Sequence, residues 1–186
     1  MEIRNPGQLL KEENFSLKTT PMETYAKKAG QLKQCYASPM PIETEELLAY
    51  EVASQCTQKE NPQIGSMQFG VTYLKPYTVN GEFSMTRGHF HLDTRYDEYY
   101  QGLSGQGFLL MWDGASEVFA EPIFPGSVHY INGKYAHRLI NTSLTEELKV
   151  AAIWNVKSGH NYASIDESGF PIRCFLSDGK VEWRTK

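Results

Sequence analysis

From Gly65 onward, apolar and polar residues alternate mostly at period two, and turn residues break the alternation every few positions. Met67 to Leu74 predicts a strand that ends before Pro76. Val79-Asn80-Gly81 carries an Asn-Gly hairpin signal. Phe83 to His91, Glu98 to Leu103 and Phe108 to Trp112 predict the next three strands, and Asp113-Gly114 the turn after them. Glu117 to Glu121 leads to the turn pair Pro125-Gly126. Val128 to Ile131 and His137 to Asn141 follow, parted by a bend at Gly133-Lys134. Lys149 to Val156 is strongly apolar and is expected in the middle of a sheet. About eight closely spaced strands, no long helical pattern and no duplicated half predict an all-β fold. The architecture expected is one sandwich or barrel of the jelly-roll type.

Upstream, Tyr50 to Cys56 alternates as a strand, with Tyr50 and Val52 on one face. Thr44, followed by Glu45 and Glu46, predicts a short helix opened by a hydroxyl cap. Thr24 to Lys33 predicts another short helix. Residues 1–40, interrupted by Pro6, Pro21 and Pro39, are expected to form an N-terminal arm containing short helices. It would pack on a barrel core spanning 45–170, with no Gly/Ser or Pro linker between them, so that 1–186 is one domain. The polar tail, Ile165 to Lys186, is expected to pair along a sheet edge or join an interface.

Composition changes this picture little. A chain of 186 residues is long enough for one domain with a sizeable core. Its 40% apolar and 22% charged residues are those of a soluble globular protein. A net charge of −4 and the lack of a basic run argue against a nucleic-acid partner. No apolar run suits a membrane span or a leader, so the expected location is the cytoplasm. Cys35, Cys56 and Cys174 are odd in number and form no C-x-x-C, which speaks against a disulfide framework and a zinc finger. They are read as indifferent thiols.

The chemistry concentrates in Gly88-His89-Phe90-His91, followed seven residues later by Glu98. In a strand, residues two apart point to the same face, so His89 and His91 present two imidazoles side by side. Glu98 lies beyond a polar bend, Asp93 to Asp97, and can fold back towards them. His137, in Tyr135-Ala136-His137-Arg138, is available as a fourth ligand. Three neutral nitrogens and one carboxylate suit a divalent transition metal with positions left for substrate. Thr86 should face away from His89 on a regular strand, unless a bulge at Gly88 turns it inward. Arg87 and Arg138 should likewise point away and form ion pairs or interface contacts. His129 has no partner motif and is read as structural. Gly102, Gly105 and Gly107 follow a strand and open no helix, so they are turn glycines and not a phosphate loop.

Gly88-His89-Phe90-His91 with Glu98, then Pro125-Gly126, then His137, resembles the two-part motif of cupins. The likeness is closer to one group. Asn80 to His91, Glu98 to Gly107, Tyr135 to Arg138 and Gly159-His160-Asn161-Tyr162 resemble the cupin-type, metal-dependent glucose-6-phosphate isomerases of archaea and some bacteria. Residues 45–170 carry the resemblance. It implies a cupin jelly roll, a homodimer, and a divalent metal on His89, His91, Glu98 and His137. That metal is often Fe(II), with Mn, Zn or Ni able to substitute. It implies that Thr72 and Thr86 hold the phosphate of a phosphorylated sugar, with the Gly88 backbone close by and the Tyr50 hydroxyl in the same pocket. Tyr100, His160 and Tyr162 would line the sugar.

The expected activity interconverts glucose 6-phosphate and fructose 6-phosphate, a step of glycolysis and gluconeogenesis. Glu98 and His137 are the expected catalytic residues. Glu98 would move a proton from C2 to C1 through a cis-enediol(ate). In the other route a hydride shifts directly, and Glu98 only moves a proton between oxygens. Two further functions stay open: an Fe(II) cupin dioxygenase, and a non-enzymatic sugar-binding cupin.

Overall fold

The computed structural model describes residues 8–10, 13–19, 22–55 and 61–186. Cys56 falls outside that set, as do residues 1–7, 11–12 and 20–21 of the expected arm. The strands are β1 (Gln8–Leu10), β2 (Leu17–Thr19), β3 (Glu23–Lys28), β4 (Leu48–Gln55), β5 (Met67–Leu74), β6 (Thr78–Val79), β7 (Glu82–Met85) and β8 (Glu98–Ser104). They continue as β9 (Gly107–Trp112), β10 (Val118–Ile123), β11 (Val128–Ile131), β12 (Ala136–Asn141), β13 (Leu148–Asn155), β14 (Ile172–Ser177) and β15 (Lys180–Thr185). Helices are short: a 3-10 turn at Ala29–Cys35, α1 (Ile42–Glu45) and α2 (Ala163–Ser168).

Two antiparallel sheets make a sandwich of the expected all-β class. One has the order β11-β8-β13-β5-β4-β3, and the other β10-β9-β12-β7-β14-β15, with β6 added onto β7. Leu74, Leu148, Val150 and Ile131 from the first meet Phe83, Met85, Leu109 and Ile140 from the second in a common core. As its apolar run predicts, β13 is interior, between β8 and β5. β12 is buried along its whole length. Its polar members therefore need partners inside, and Asn141 has them: Nδ2 donates to the carbonyls of Leu74 (3.0 Å) and Glu146 (2.9 Å). A second, smaller apolar cluster lies on the far side of the first sheet. There Leu17 and Phe15 cover Ala53, Val71, Leu103 and Ala151.

The Asn80-Gly81 signal does what its chemistry requires. Asn80 has φ 48° and Gly81 φ 85°, and they close the hairpin between β6 and β7. Four expectations change. Of the helix expected over Thr24 to Lys33, only the part from Ala29 is helical, in the 3-10 turn: Thr24 to Lys28 belongs to β3, which pairs with β4 from Glu23↔Ser54 to Lys28↔Leu48. An open sheet edge offers those residues a full ladder, which outweighs a weak helical preference. Thr44 sits inside α1 and is not its cap, a position held by Pro41. Phe83 to His91 is not one strand, because β7 ends at Met85 and only single bridges follow, at His89 and Phe90. Gly102 lies within β8, beside the point where its register against β13 slips, and Gly107 opens β9, so of the three expected turn glycines only Gly105 lies outside a strand. The tail forms α2 and then β14 and β15, the last two at the edge of the second sheet.

Candidate metal centre and active site

The break after Met85 builds the site. Gly88 has φ +76°, a conformation that L side chains rarely adopt. A Cβ there would also lie 2.8 Å from the Phe170 ring and 3.0 Å from Arg138 Cβ. The turn lets His89 leave the β7 line and bridge to β12. His89 N donates to His137 O (3.2 Å) and His137 N to His89 O (3.0 Å). One residue on, Phe90 exchanges both backbone bonds with Asn161, at 3.1 and 2.8 Å. This second bridge brings His160 and Tyr162 to the same place. The His160 ring centre is 4.3 Å from that of His89, and the Tyr162 ring stacks on His160 at 5.7 Å.

One ligand atom from each of His89, His91, Glu98 and His137 lies within 4.8 Å of the others. Donors about 2.1 Å from one ion stand up to about 4 Å apart, so the cluster is close to ion-binding size. His91 Nδ1 meets the Tyr96 carbonyl at 2.7 Å and His137 Nδ1 the Tyr135 carbonyl at 3.3 Å. In each ring the Nδ1 hydrogen has a backbone acceptor, which leaves Nε2 facing the cluster, as metal-binding histidines require. Nε2 of His91 and of His137 both approach Glu98 Oε1, at 2.8 and 2.7 Å. The His137 contact is short but off the line of a hydrogen bond, so that buried nitrogen has no hydrogen-bond partner. Such an atom is costly unless something else bonds to it. These residues fit a divalent metal.

The electrostatics agree. Burial alone would raise the Glu98 carboxyl, but the facing rings of His137 and His91 outweigh it and hold it well below the usual carboxylate range. Burial works against a charged His91, yet Glu98 prevails and raises its pKa. Burial lowers His89 well below the ordinary imidazole value, helped by His137 and His160, and it lowers His160 too. The centre therefore attracts one positive charge beside Glu98 and keeps His89 neutral.

The chain matches the profile of a family described as glucose-6-phosphate isomerase over residues 26–186. It is 37% identical over 139 residues to the glucose-6-phosphate isomerase of Thermococcus kodakarensis, across 74% of this chain and 71% of that one. It is 35% identical over 142 residues to that of Pyrococcus horikoshii, across 76% and 72%. The chain belongs to the glucose-6-phosphate isomerase family. A putative glucose-6-phosphate isomerase 1 of Rhizobium meliloti is 28% identical over 165 residues, across 86% of this chain and 75% of that one. An oxalate oxidase structure superposes on 63% of this chain and 56% of its own at a TM-score of 0.49, with 15% identity.

In this isomerase-family chain the cluster opens into a cavity of about 660 Å³. Tyr50, Thr72, Thr86, Gly88, Tyr100, His160 and Tyr162 all line it, with His89, Glu98 and His137, while His91 stands behind its wall. The first sheet forms the floor. Tyr25, Val52, Thr72 and Val150 align across four strands in one row, and Glu23, Ser54, Gly70, Ala152 and Tyr100 in the next. Thr86 reaches the cavity because the strand ends before it, and its Oγ1 accepts the Leu139 N–H at 3.0 Å. That bond leaves the hydroxyl hydrogen available. Burial, with Tyr25 and Tyr162 nearby, pushes the Tyr50 hydroxyl far up, so it stays protonated and can donate.

The sequence alone missed three residues. Tyr25, expected on a helix, stands on an edge strand with its ring 6.3 Å from Tyr50 and joins the cavity wall. Its place beside Glu23 at period two was the signal available. Arg87 and Arg138, expected to point away, also line the cavity, Arg87 because Thr86-Arg87-Gly88 is not regular strand and Arg138 from within β12. Arg87 does form an ion pair, with Asp166. Arg138 is buried and has no carboxylate partner among the described residues. Its Nη1 reaches Met85 Sδ at 2.9 Å, and its guanidinium lies 4.3 Å over the Phe170 ring. His129 bridges Glu121 (2.6 Å) and Ser127 (2.9 Å), which ties β10 to β11 away from the cavity.

Proposed function

We propose that this chain interconverts glucose 6-phosphate and fructose 6-phosphate with a divalent metal held by His89, His91, Glu98 and His137. One observation carries the proposal. A buried three-histidine, one-carboxylate cluster opens into a cavity otherwise rich in hydroxyls, in a chain of this family. Fe(II) is the ion proposed, and the donor set also suits Mn, Zn and Ni. When bound, the metal supplies a Lewis acid that draws negative charge from the sugar's carbonyl group.

The chain's own residues do the rest. Tyr50, Thr72, Thr86 and the Gly88 backbone hold the phosphate. Tyr100, His160 and Tyr162 orient the sugar. Glu98, ionised, takes the proton from C2 and returns it to C1, and His137 keeps that carboxylate in place. His160, kept neutral by burial, offers a hydrogen bond without adding charge. A coupled assay of fructose 6-phosphate conversion tests the activity. Turnover should vanish on thorough chelation and return best with Fe(II), and activity that survives chelation would rule out the metal role. Substrate deuterated at C2 tests the proton path in ordinary water. Loss of label to solvent supports it, and full retention at C1 replaces it with a hydride shift.

The proposal extends to a cytoplasmic homodimer. Among the described residues, no helix is long and apolar enough to cross a membrane. The outer face of the first sheet leaves Tyr99, Val128, Tyr130 and Ile153 exposed, at 52%, 64%, 48% and 44%. A solvent-exposed apolar patch of this kind suits a second copy. Light scattering should give twice the chain mass, and Tyr99→Glu should halve it.

A further inference from the structure

The phosphate of a sugar phosphate carries about −1.5 to −2 charge at pH 7. The hydroxyls proposed to hold it carry none. Among the described residues lining the cavity, two bear a fixed positive charge, Arg87 and Arg138. Arg138 is committed elsewhere. It is 5% exposed, and its two terminal nitrogens reach Met85 Sδ and the Arg87 carbonyl.

Arg87 is different. Its side chain is 24% exposed. Nε donates to Asp166 Oδ1 at 3.0 Å and Nη2 to Oδ2, so the carboxylate takes one edge of the guanidinium fork. The guanidinium carbon lies 4.2 Å from the centre of the Tyr162 ring, which fixes the plane of the fork. A guanidinium has five N–H donors, and this pairing uses two, leaving the Nη1 edge for a second anion. Thr86 and Gly88, two of the proposed phosphate contacts, are its chain neighbours.

We propose that Arg87 is the charged contact that makes this cavity select a phosphorylated sugar over a neutral one, with Asp166 as the residue that positions it. The inference rests on the phosphosugar function proposed above. Asp166 lies on α2, directly after His160 and Tyr162, so the same ion pair fixes the cavity wall those residues form. The site's phosphate selectivity and its shape on that side therefore share one anchor.

The test is calorimetric titration of metal-loaded protein with fructose 6-phosphate and with fructose, beside steady-state kinetics and thermal melts. Arg87→Gln should weaken fructose 6-phosphate binding roughly 10- to 100-fold, the range of a hydrogen bond to a charged group. Fructose binding should change less than about twofold, since the neutral sugar makes no use of the charge. Arg87→Lys should recover much of the loss. Asp166→Asn keeps the arginine and provides a second measure should Arg87→Gln fail to fold. It should raise KM for fructose 6-phosphate several-fold, with kcat little changed. Wild-type affinity for fructose 6-phosphate in Arg87→Gln, equal losses for both sugars, or an unchanged KM in Asp166→Asn would overturn the proposal. Wild-type protein that neither converts nor binds fructose 6-phosphate would overturn the phosphosugar function itself, and this inference with it.

Discussion

At the scale of residues, the site depends on a few positions where one atom matters. Gly88 is one, because its φ of +76° and its contact with Phe170 leave no place for a side chain. Gly88→Ala should cost about 1–3 kcal/mol from backbone strain. Urea denaturation measures that loss, and metal analysis should show lower occupancy as His89 is displaced. Glu98 is another. The histidines hold it ionised, and that charge is what a proton acceptor needs. Glu98→Gln keeps the shape and removes the charge, so kcat should fall roughly 10²- to 10⁴-fold, measured per bound metal. Cys174 shows the opposite case, a group kept out of chemistry. Burial pushes its thiol up to about 12, so it stays protonated in the fold. A folded value above the unfolded one, about 8.5, means a contribution to stability that is complete below that pH and is lost as pH rises towards 12. Iodoacetamide at pH 8 should therefore modify Cys174 far more slowly in native than in unfolded protein, as read by mass spectrometry.

At the scale of elements, hairpins follow local chemistry and their ends follow neighbours. The β6–β7 turn is written in Asn80-Gly81, whose backbone angles suit it. The end of β7 at Met85 is not written in the same way. Phe83 to His91 alternates well enough for one strand, but Gly88 turns the chain and β12 captures His89 instead. This also explains why Arg87, outward-facing on any regular strand, stands in the cavity wall. The segment before β4 shows a related effect. Its alanines and lysines permit a helix, but the edge of β4 makes Glu23–Lys28 a strand, and only Ala29–Cys35 stays helical, as a 3-10 turn. Beyond it, an ion pair ties Cys35 and Ala37 to the second sheet: Arg173 Nη1 meets Glu82 Oε1 at 2.9 Å and the Cys35 carbonyl at 2.8 Å, while Glu82 Oε2 accepts Ala37 N at 2.7 Å. Arg173→Met should leave Glu82 charged and poorly compensated, at a cost of about 3–5 kcal/mol. Adding Glu82→Leu should return part of that loss, which a double-mutant cycle in urea would show as a coupling between the two sites.

At the scale of the whole molecule, the proposed metal ligands come from distant parts of the chain. His89 and His91 follow β7, Glu98 starts β8 and His137 lies on β12, so both sheets meet at the cluster. Anything bound there holds the sandwich closed. Metal at 100 times its dissociation constant adds about 2.7 kcal/mol, or roughly 5–10 °C of melting temperature for a chain of this size. Calorimetry of chelated against metal-loaded protein should show that difference, and equal melting temperatures would separate the cluster from stability. The sequence by itself determined the all-β class, most strand positions, and the three histidines and glutamate that the fold gathers into one cluster. Period-two alternation and turn residues act over a few positions, and H-x-H needs only a short extended segment to aim two rings together. The residues near those ligands were legible as candidates because a resemblance named them, and the fold lines one cavity with them. Only the tertiary structure decided that Thr86 faces inward, that Tyr25 belongs to the wall, and that Arg87 meets Asp166 nearly eighty positions away. Those outcomes depend on which strand edge is open and where a neighbouring strand takes over the backbone hydrogen bonds, and no local pattern carries that information.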